Sequence, residues 1–152
     1  MFTCTKTYDN LPCAHRQWRH DSNCAVIHGY SRSFIFSFEA KERDKCGFVV
    51  DFGDLGWLKD YLELKFDHTL LIQDDDPYLE LFRELHKVGA CQLTVVPSTS
   101  TEGMAEMVCK FADQELRERT KGRCWILSVE CRENSKNSAT YFNPNIGFRG
   151  WE

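Results

Sequence analysis

Residues 28–40 read His-Gly-Tyr-Ser-Arg-Ser-Phe-Ile-Phe-Ser-Phe-Glu-Ala, and this alternation constrains the fold more than any other stretch. Side chains of a strand repeat their direction every two residues, so His28, Tyr30, Arg32, Phe34, Phe36 and Phe38 share one face. One end of that face is chemical and the other apolar. The chain is therefore expected to be built on a sheet that carries its core and its chemistry on the same strand.

The remaining pattern supplies partners for that strand. Phe2 to Tyr8 alternates as a strand, and Asn10 to Asn23 reads as a strand end followed by a loop. Asp44 to Gly47 reads as a turn and Phe48 to Phe52 as a returning strand. Leu55, Leu58, Tyr61, Leu62 and Phe66 recur at helical spacing, giving an amphipathic helix over about Asp54 to Lys65. Pro77 can open a second helix that Gly89 closes. Cys91 to Val96 forms a short strand ended by Pro97. Thr99-Ser100-Thr101-Glu102 fits a capping box with its hydroxyl at Thr99, and a third helix then runs to about Arg119. Arg123 to Cys131 is the last strand, and the tail from Asn143 has no clear period. The order predicts a single α+β domain over residues 1–152 with a mainly antiparallel sheet.

Composition excludes several classes of function. A net charge of -4, from 19 basic and 23 acidic residues, argues against nucleic acid as a partner. No apolar run approaches the roughly 20 residues of a membrane helix, and the N-terminus lacks the features of a signal peptide. The eight cysteines have no Cys-x-x-Cys spacing. They are expected to be reduced and mostly buried, in a cytoplasmic protein.

Four clusters could carry chemistry. His15 and His28 flank a loop, a common arrangement for imidazole metal ligands. Cys24 lies four residues before His28, and beside a metal or a basic group its thiolate could act as base or nucleophile. Asp67-His68 follows a helix end, where a carboxylate can orient an imidazole for proton transfer. Glu130 interrupts a strand face of small and apolar residues, and a carboxylate buried there would suit a ligand with paired N–H donors.

In this order, Cys13-Ala14-His15, Cys24 to Tyr30, Gly47 to Phe52, Asp67-His68, Ser100-Thr101-Glu102, Val129-Glu130 and Asn137 to Tyr141 resemble the 6-pyruvoyl-tetrahydropterin synthase family, which includes the 6-carboxy-tetrahydropterin synthases. The resemblance spans about residues 2 to 142. It implies the tunnelling fold, a four-stranded antiparallel sheet with helices on one face, assembled as a trimer or hexamer with active sites between subunits. It implies that His15 and His28 are zinc ligands, Cys24 the general base, and Asp67 and His68 a proton relay lent by a neighbouring subunit. It implies that Glu130 anchors the pterin, with Ser100 and Thr101 near its ring. The activity implied is a lyase acting on dihydroneopterin triphosphate on the route to 7-deazaguanines such as queuosine.

The chain departs from the family pattern at Tyr30, where a third histidine ligand is expected. Tyr30 could ligate as phenolate, His20 could replace it, or zinc could be weak or absent. The last alternative describes a non-catalytic or repurposed pterin- or purine-binding member. A helix inserted between Gln73 and Gly89 is a second departure, and it bears on substrate specificity.

Overall fold

The computed structural model describes residues 1–146. The expectation for the tail from Asn143 therefore falls partly on residues 147–152, outside the described residues. Nine regular elements follow in order: β1 (Phe2–His15), β2 (His28–Ala40), α1 (Gly56–Phe66), β3 (Thr69–Gln73), α2 (Leu79–Lys87), β4 (Leu93–Val96), α3 (Thr101–Thr120), β5 (Cys124–Arg132) and β6 (Ser138–Phe142).

The strands form one sheet in the order β4-β3-β1-β2-β5-β6. Strands β1, β2, β5 and β6 are successively antiparallel, which is the expected four-stranded sheet. Strands β3 and β4 extend it to six and run parallel to β1. The β3–α2–β4 segment is a parallel crossover unit, the connection that parallel neighbours require. Its first strand was not anticipated because Thr69, Leu70, Leu71 and Ile72 are all buried. A strand covered on both faces shows no alternation.

The apolar end of β2 makes the core. Phe34, Phe36 and Phe38 are fully buried, in one cluster with Leu58, Leu62 and Phe66 of α1 and Met104, Val108 and Ala112 of α3. The rings of Phe34 and Phe66 lie 4.8 Å apart, and Tyr61 of α1 stacks on Phe111 of α3 at 3.8 Å. Each buried phenylalanine contributes about 2–3 kcal/mol of apolar transfer. Helix α2 is the exception to helices on one face. Its Phe82 packs with Leu70 and Ile72, whereas the intervening Leu71 belongs to the main core, so α2 covers the opposite side of β3.

Two expectations are corrected. Residues 48–52 do not form a strand. The Asp44 carboxylate accepts from the backbone N–H groups of Cys46 and Phe48 and holds the turn, where Gly47 has φ 87°. Val49 and Val50 then enter the core as irregular chain, and the Asp51 side chain accepts from Gly53 N at the start of a short 3₁₀ turn. The α3 cap is Ser100, whose side chain accepts from Gly103 N at 3.0 Å, not Thr99. Thr99 instead donates to the carbonyl of Arg16 at 2.7 Å and ties the helix start to the loop after β1.

Strand β1 runs farther than its alternation suggested. Tyr8 pairs with Phe34 and Leu11 with Arg32, so three steps on β1 face two on β2. The extra residue makes a bulge in which Asn10 takes a left-handed φ of 57°, a conformation asparagine tolerates. Before the bulge the core-facing positions are Cys4, Lys6 and Tyr8. After it they are Leu11, Cys13 and His15, which brings His15 opposite His28.

Candidate active-site cleft

The chemical end of β2 meets the end of β1 and the start of α3 around a cleft of about 270 Å³. His15, His20, Cys24, His28, Tyr30, Ser100, Thr101 and Glu133 all line it. Local sequence explains the close approach of the two strands. A Cβ at Gly29 would stand 2.9 Å from the carbonyl oxygen of Cys13, so only glycine fits between the paired His15 and His28. The rings of His15 and His28 lie 4.4 Å apart, with Tyr30 at 5.8 Å and 5.6 Å from them.

The loop between them is fixed from the segment between β3 and α2. Arg16 Nε donates to Asp76 Oδ2 at 2.8 Å and Arg16 Nη2 to Asp76 Oδ1 at 3.3 Å. Arg16 also lies over the ring of Tyr78. Trp18 Nε1 and Arg19 Nη2 donate to Asp75, whose carboxyl is held down at about 2, first by Arg19 and then by Trp18 and Gln73. The segment between β3 and α2 thus braces the wall of the cleft that carries His20.

Beneath the histidines lies Arg32, fully buried. Its Nη2 is 3.3 Å from both ring nitrogens of His15, and its Nη1 reaches Thr101 Oγ1 at 3.5 Å and Cys131 Sγ at 3.7 Å. Thr101 Oγ1 in turn donates to Glu133 Oε1 at 2.8 Å. Burial first, then the Arg32 guanidinium, then His28 push the His15 imidazole down to about 3, so it is neutral.

The site residues expected from sequence divide by face of the sheet. His15, Cys24, His28, Ser100 and Thr101 meet in the cleft. Asp67 and His68 do not. His68 Nδ1 and Asp67 Oδ1 are 2.6 Å apart, but His68 borders a separate groove with Pro12, Ala14, Gly29 and Ser31. Glu130 is directly opposite Ile35, on the face away from the core, and pairs with Arg132 Nη2 at 2.8 Å. From the end of β5 it is Glu133 that lines the cleft, a residue not singled out from the sequence. Parity counted from Cys124 and Ile126 places Glu130 on the core face, but a register shift between Ile126 and Ser128 reverses it and leaves Val129 and Cys131 buried.

Lone pairs and charge together decide whether zinc suits these residues. A neutral imidazole has one acceptor nitrogen. In His15, Arg32 Nη2 is 3.3 Å from both nitrogens, so the guanidinium lies over the ring face and brings its charge against the imidazole. In His20, Nδ1 accepts from Ser22 N at 3.0 Å, which leaves the proton on Nε2. His28 fits a ligand, because its Nδ1 donates to the Val26 carbonyl at 2.6 Å and frees Nε2. Among the described residues no three His, Cys, Asp or Glu side chains are grouped to hold a metal. Arg32 opposes one further. A dication bound at ~2.1 Å from either His15 nitrogen would lie within roughly 5.4 Å of Nη2, a repulsion of about 6 kcal/mol at an effective dielectric of 20. The Arg32 guanidinium over His15 and the engaged Nδ1 of His20 do not fit the zinc that the family resemblance implies.

Residues 3–144 match the family model described as 6-pyruvoyl tetrahydropterin synthase. The 6-carboxy-5,6,7,8-tetrahydropterin synthase of Rickettsia typhi is 34% identical over 77 residues, 50% of this chain and 55% of that protein. A probable 6-carboxy-5,6,7,8-tetrahydropterin synthase of Halobacterium salinarum is 28% identical over 90 residues, 59% of this chain and 57% of that protein. The chain thus spans a little over half the length of these relatives. An uncharacterized protein from Wolinella succinogenes superposes with a TM-score of 0.79 at 21% identity, covering 93% of this chain and 98% of that one. The 6-pyruvoyl tetrahydropterin synthase of Plasmodium falciparum does so at 0.65 and 16% identity, covering 93% and 98%. At these identities the two structures show a shared fold, the tunnelling fold.

Proposed function

Because the chain belongs to the 6-pyruvoyl tetrahydropterin synthase family, we propose that its cleft binds a reduced pterin and acts as a lyase on the side chain at C6, as the names of its relatives suggest. The observation that carries this reading is the union of Cys24 with the Thr101–Glu133 pair in one cleft. Glu133 accepts the paired N–H donors of the amino-pyrimidinone edge, the role first expected of Glu130. Ser100 and Thr101 border the ring. The exposed Cys24 thiol removes a proton from the side chain.

In this reading Asp67 and His68, on the other face of the sheet, serve the cleft of a neighbouring subunit in a trimer or hexamer. They hold the second proton-transfer position. Dihydroneopterin triphosphate is the substrate, and the product feeds 7-deazaguanine synthesis. The eight cysteines are all unpaired, which suits the reducing cytoplasm. No described helix is long and apolar enough to cross a membrane.

Incubation with dihydroneopterin triphosphate, followed by chromatography of the pterins, tests the reading. Turnover that is lost in Cys24→Ala and Glu133→Gln supports it. A second reading, a pterin binder without turnover, is favoured by the Arg32 guanidinium over His15 and the engaged Nδ1 of His20. Tight pterin binding with no product would select that reading. Absence of both binding and turnover would overturn the two together.

A further inference from the structure

Arg32 is the least expected group in the molecule. It is fully buried, its Nε has no hydrogen-bond partner, and among the described residues no carboxylate lies within ion-pair distance of it. A buried charge with no counter-ion opposes folding. It is retained where the charge serves something beside it.

What lies beside it is the floor of the cleft. His15, Thr101 and Tyr30 all line the cleft and all contact the guanidinium, the Tyr30 ring at 5.8 Å from Cζ. Thr101 passes the contact on to Glu133. The N-terminal end of the twenty-residue α3 borders the same cleft through Thr99 to Glu102 and adds partial positive charge. Positive potential is thus concentrated under the two histidines, from groups that cannot dissociate.

We infer that Arg32 is a fixed cation in the position where related chemistry would call on a metal ion, so that this cleft works without metal and prefers a pterin whose C6 substituent carries an anionic oxygen. Arg32 acts through its neighbours and is a positioning residue. The ligand class rests on the pterin reading proposed above. The exclusion of metal rests only on the guanidinium over His15 and the engaged Nδ1 of His20.

Two measurements on the whole protein test the inference. The first is zinc per chain by elemental mass spectrometry, after equilibration with zinc chloride and dialysis. The second is fluorescence titration with pterin-6-carboxylate and with uncharged 6-methylpterin. The wild type is expected to retain far less than one zinc per chain and to bind the carboxylate about tenfold more tightly, a gap set by one charge. Arg32→Met, similar in length and uncharged, is expected to bind the two pterins alike.

Stoichiometric zinc in the wild type overturns the inference, and so does equal binding of the two pterins by the wild type. A carboxylate preference that persists in a folded Arg32→Met variant also overturns it. If that variant does not fold, the two wild-type measurements still decide. If neither pterin binds, the pterin reading and the ligand preference fall together. The zinc result separately decides whether Arg32 excludes metal.

Discussion

Arg16 and Asp76, sixty residues apart, form a two-point ion pair whose carboxylate is wholly shielded from solvent. The pair joins the loop after β1 to the segment that precedes α2, so that segment participates in the site. Asp76 also accepts from Tyr78 N at 2.9 Å and so orients the entry to α2.

Replacing Asp76 by Ala leaves the Arg16 charge without its partner in a mostly buried position. The expected loss is about 3 kcal/mol of stability. Urea denaturation monitored by circular dichroism measures it. Asp75→Ala, at an exposed pair, is expected to change stability far less.

Glu130 and Glu133 make opposite predictions although they are three residues apart. Glu133→Gln removes the negative charge and turns one of the two acceptor oxygens into a donor, and is expected to weaken pterin binding by about 2 kcal/mol, some thirtyfold. Glu130→Gln faces the other side of the sheet and is expected to leave binding to an isolated subunit within twofold of the wild type, about 0.4 kcal/mol. Calorimetric titration of both variants separates the two assignments.

Gly29→Ala places a methyl group against the Cys13 carbonyl and pushes β1 from β2 at the paired histidines. Overpacking of this kind costs about 1–3 kcal/mol. The variant is expected to melt at a lower temperature and to lose pterin affinity. Ser31→Ala, two pairs along the same ladder, is expected to change neither by more than about 0.5 kcal/mol.

The thiols are expected to separate by reactivity. Burial pushes Cys109 up to about 12, and Cys124 and Cys131 up to about 11, so at pH 8 they carry almost no thiolate. Cys24 and Cys46 are exposed. Brief alkylation with iodoacetamide at pH 8 should label Cys24 and Cys46 first in peptide mass spectrometry. Labelling of Cys109 or Cys131 at a similar rate would contradict the packing described here.

Much of the fold was legible because its signals were periodic. The alternation from His28 to Ala40 matches β2 over its full length, and α1 and α3 lie within a few residues of their helical patterns. The misses have physical causes. Strand β3 is buried on both faces and has no alternation to read, and β6 is a short strand with one polar residue after another in its approach. Residues 48–52 have strand-like composition, but Asp44 and Asp51 bind backbone N–H groups that a ladder would need. In the site, spacing identified His15, Cys24 and His28 as neighbours. It placed Arg32 on the same face but could not reveal that the guanidinium is buried over the His15 ring, which depends on side-chain direction in a packed interior.

The bulge at Asn10 divides β1 into two reading frames. Upstream, even-numbered residues count as interior, and downstream, odd-numbered ones do. An insertion or deletion before Tyr8 would only lengthen or trim the strand's free start. The loss of one residue between Tyr8 and Leu11 would remove the bulge and leave His15 opposite His28, whereas the loss of one residue between Leu11 and His15 would turn His15 to the other side of the sheet. A relative one residue shorter in the first of these segments is therefore aligned with its gap at the bulge, where the difference costs the cleft nothing.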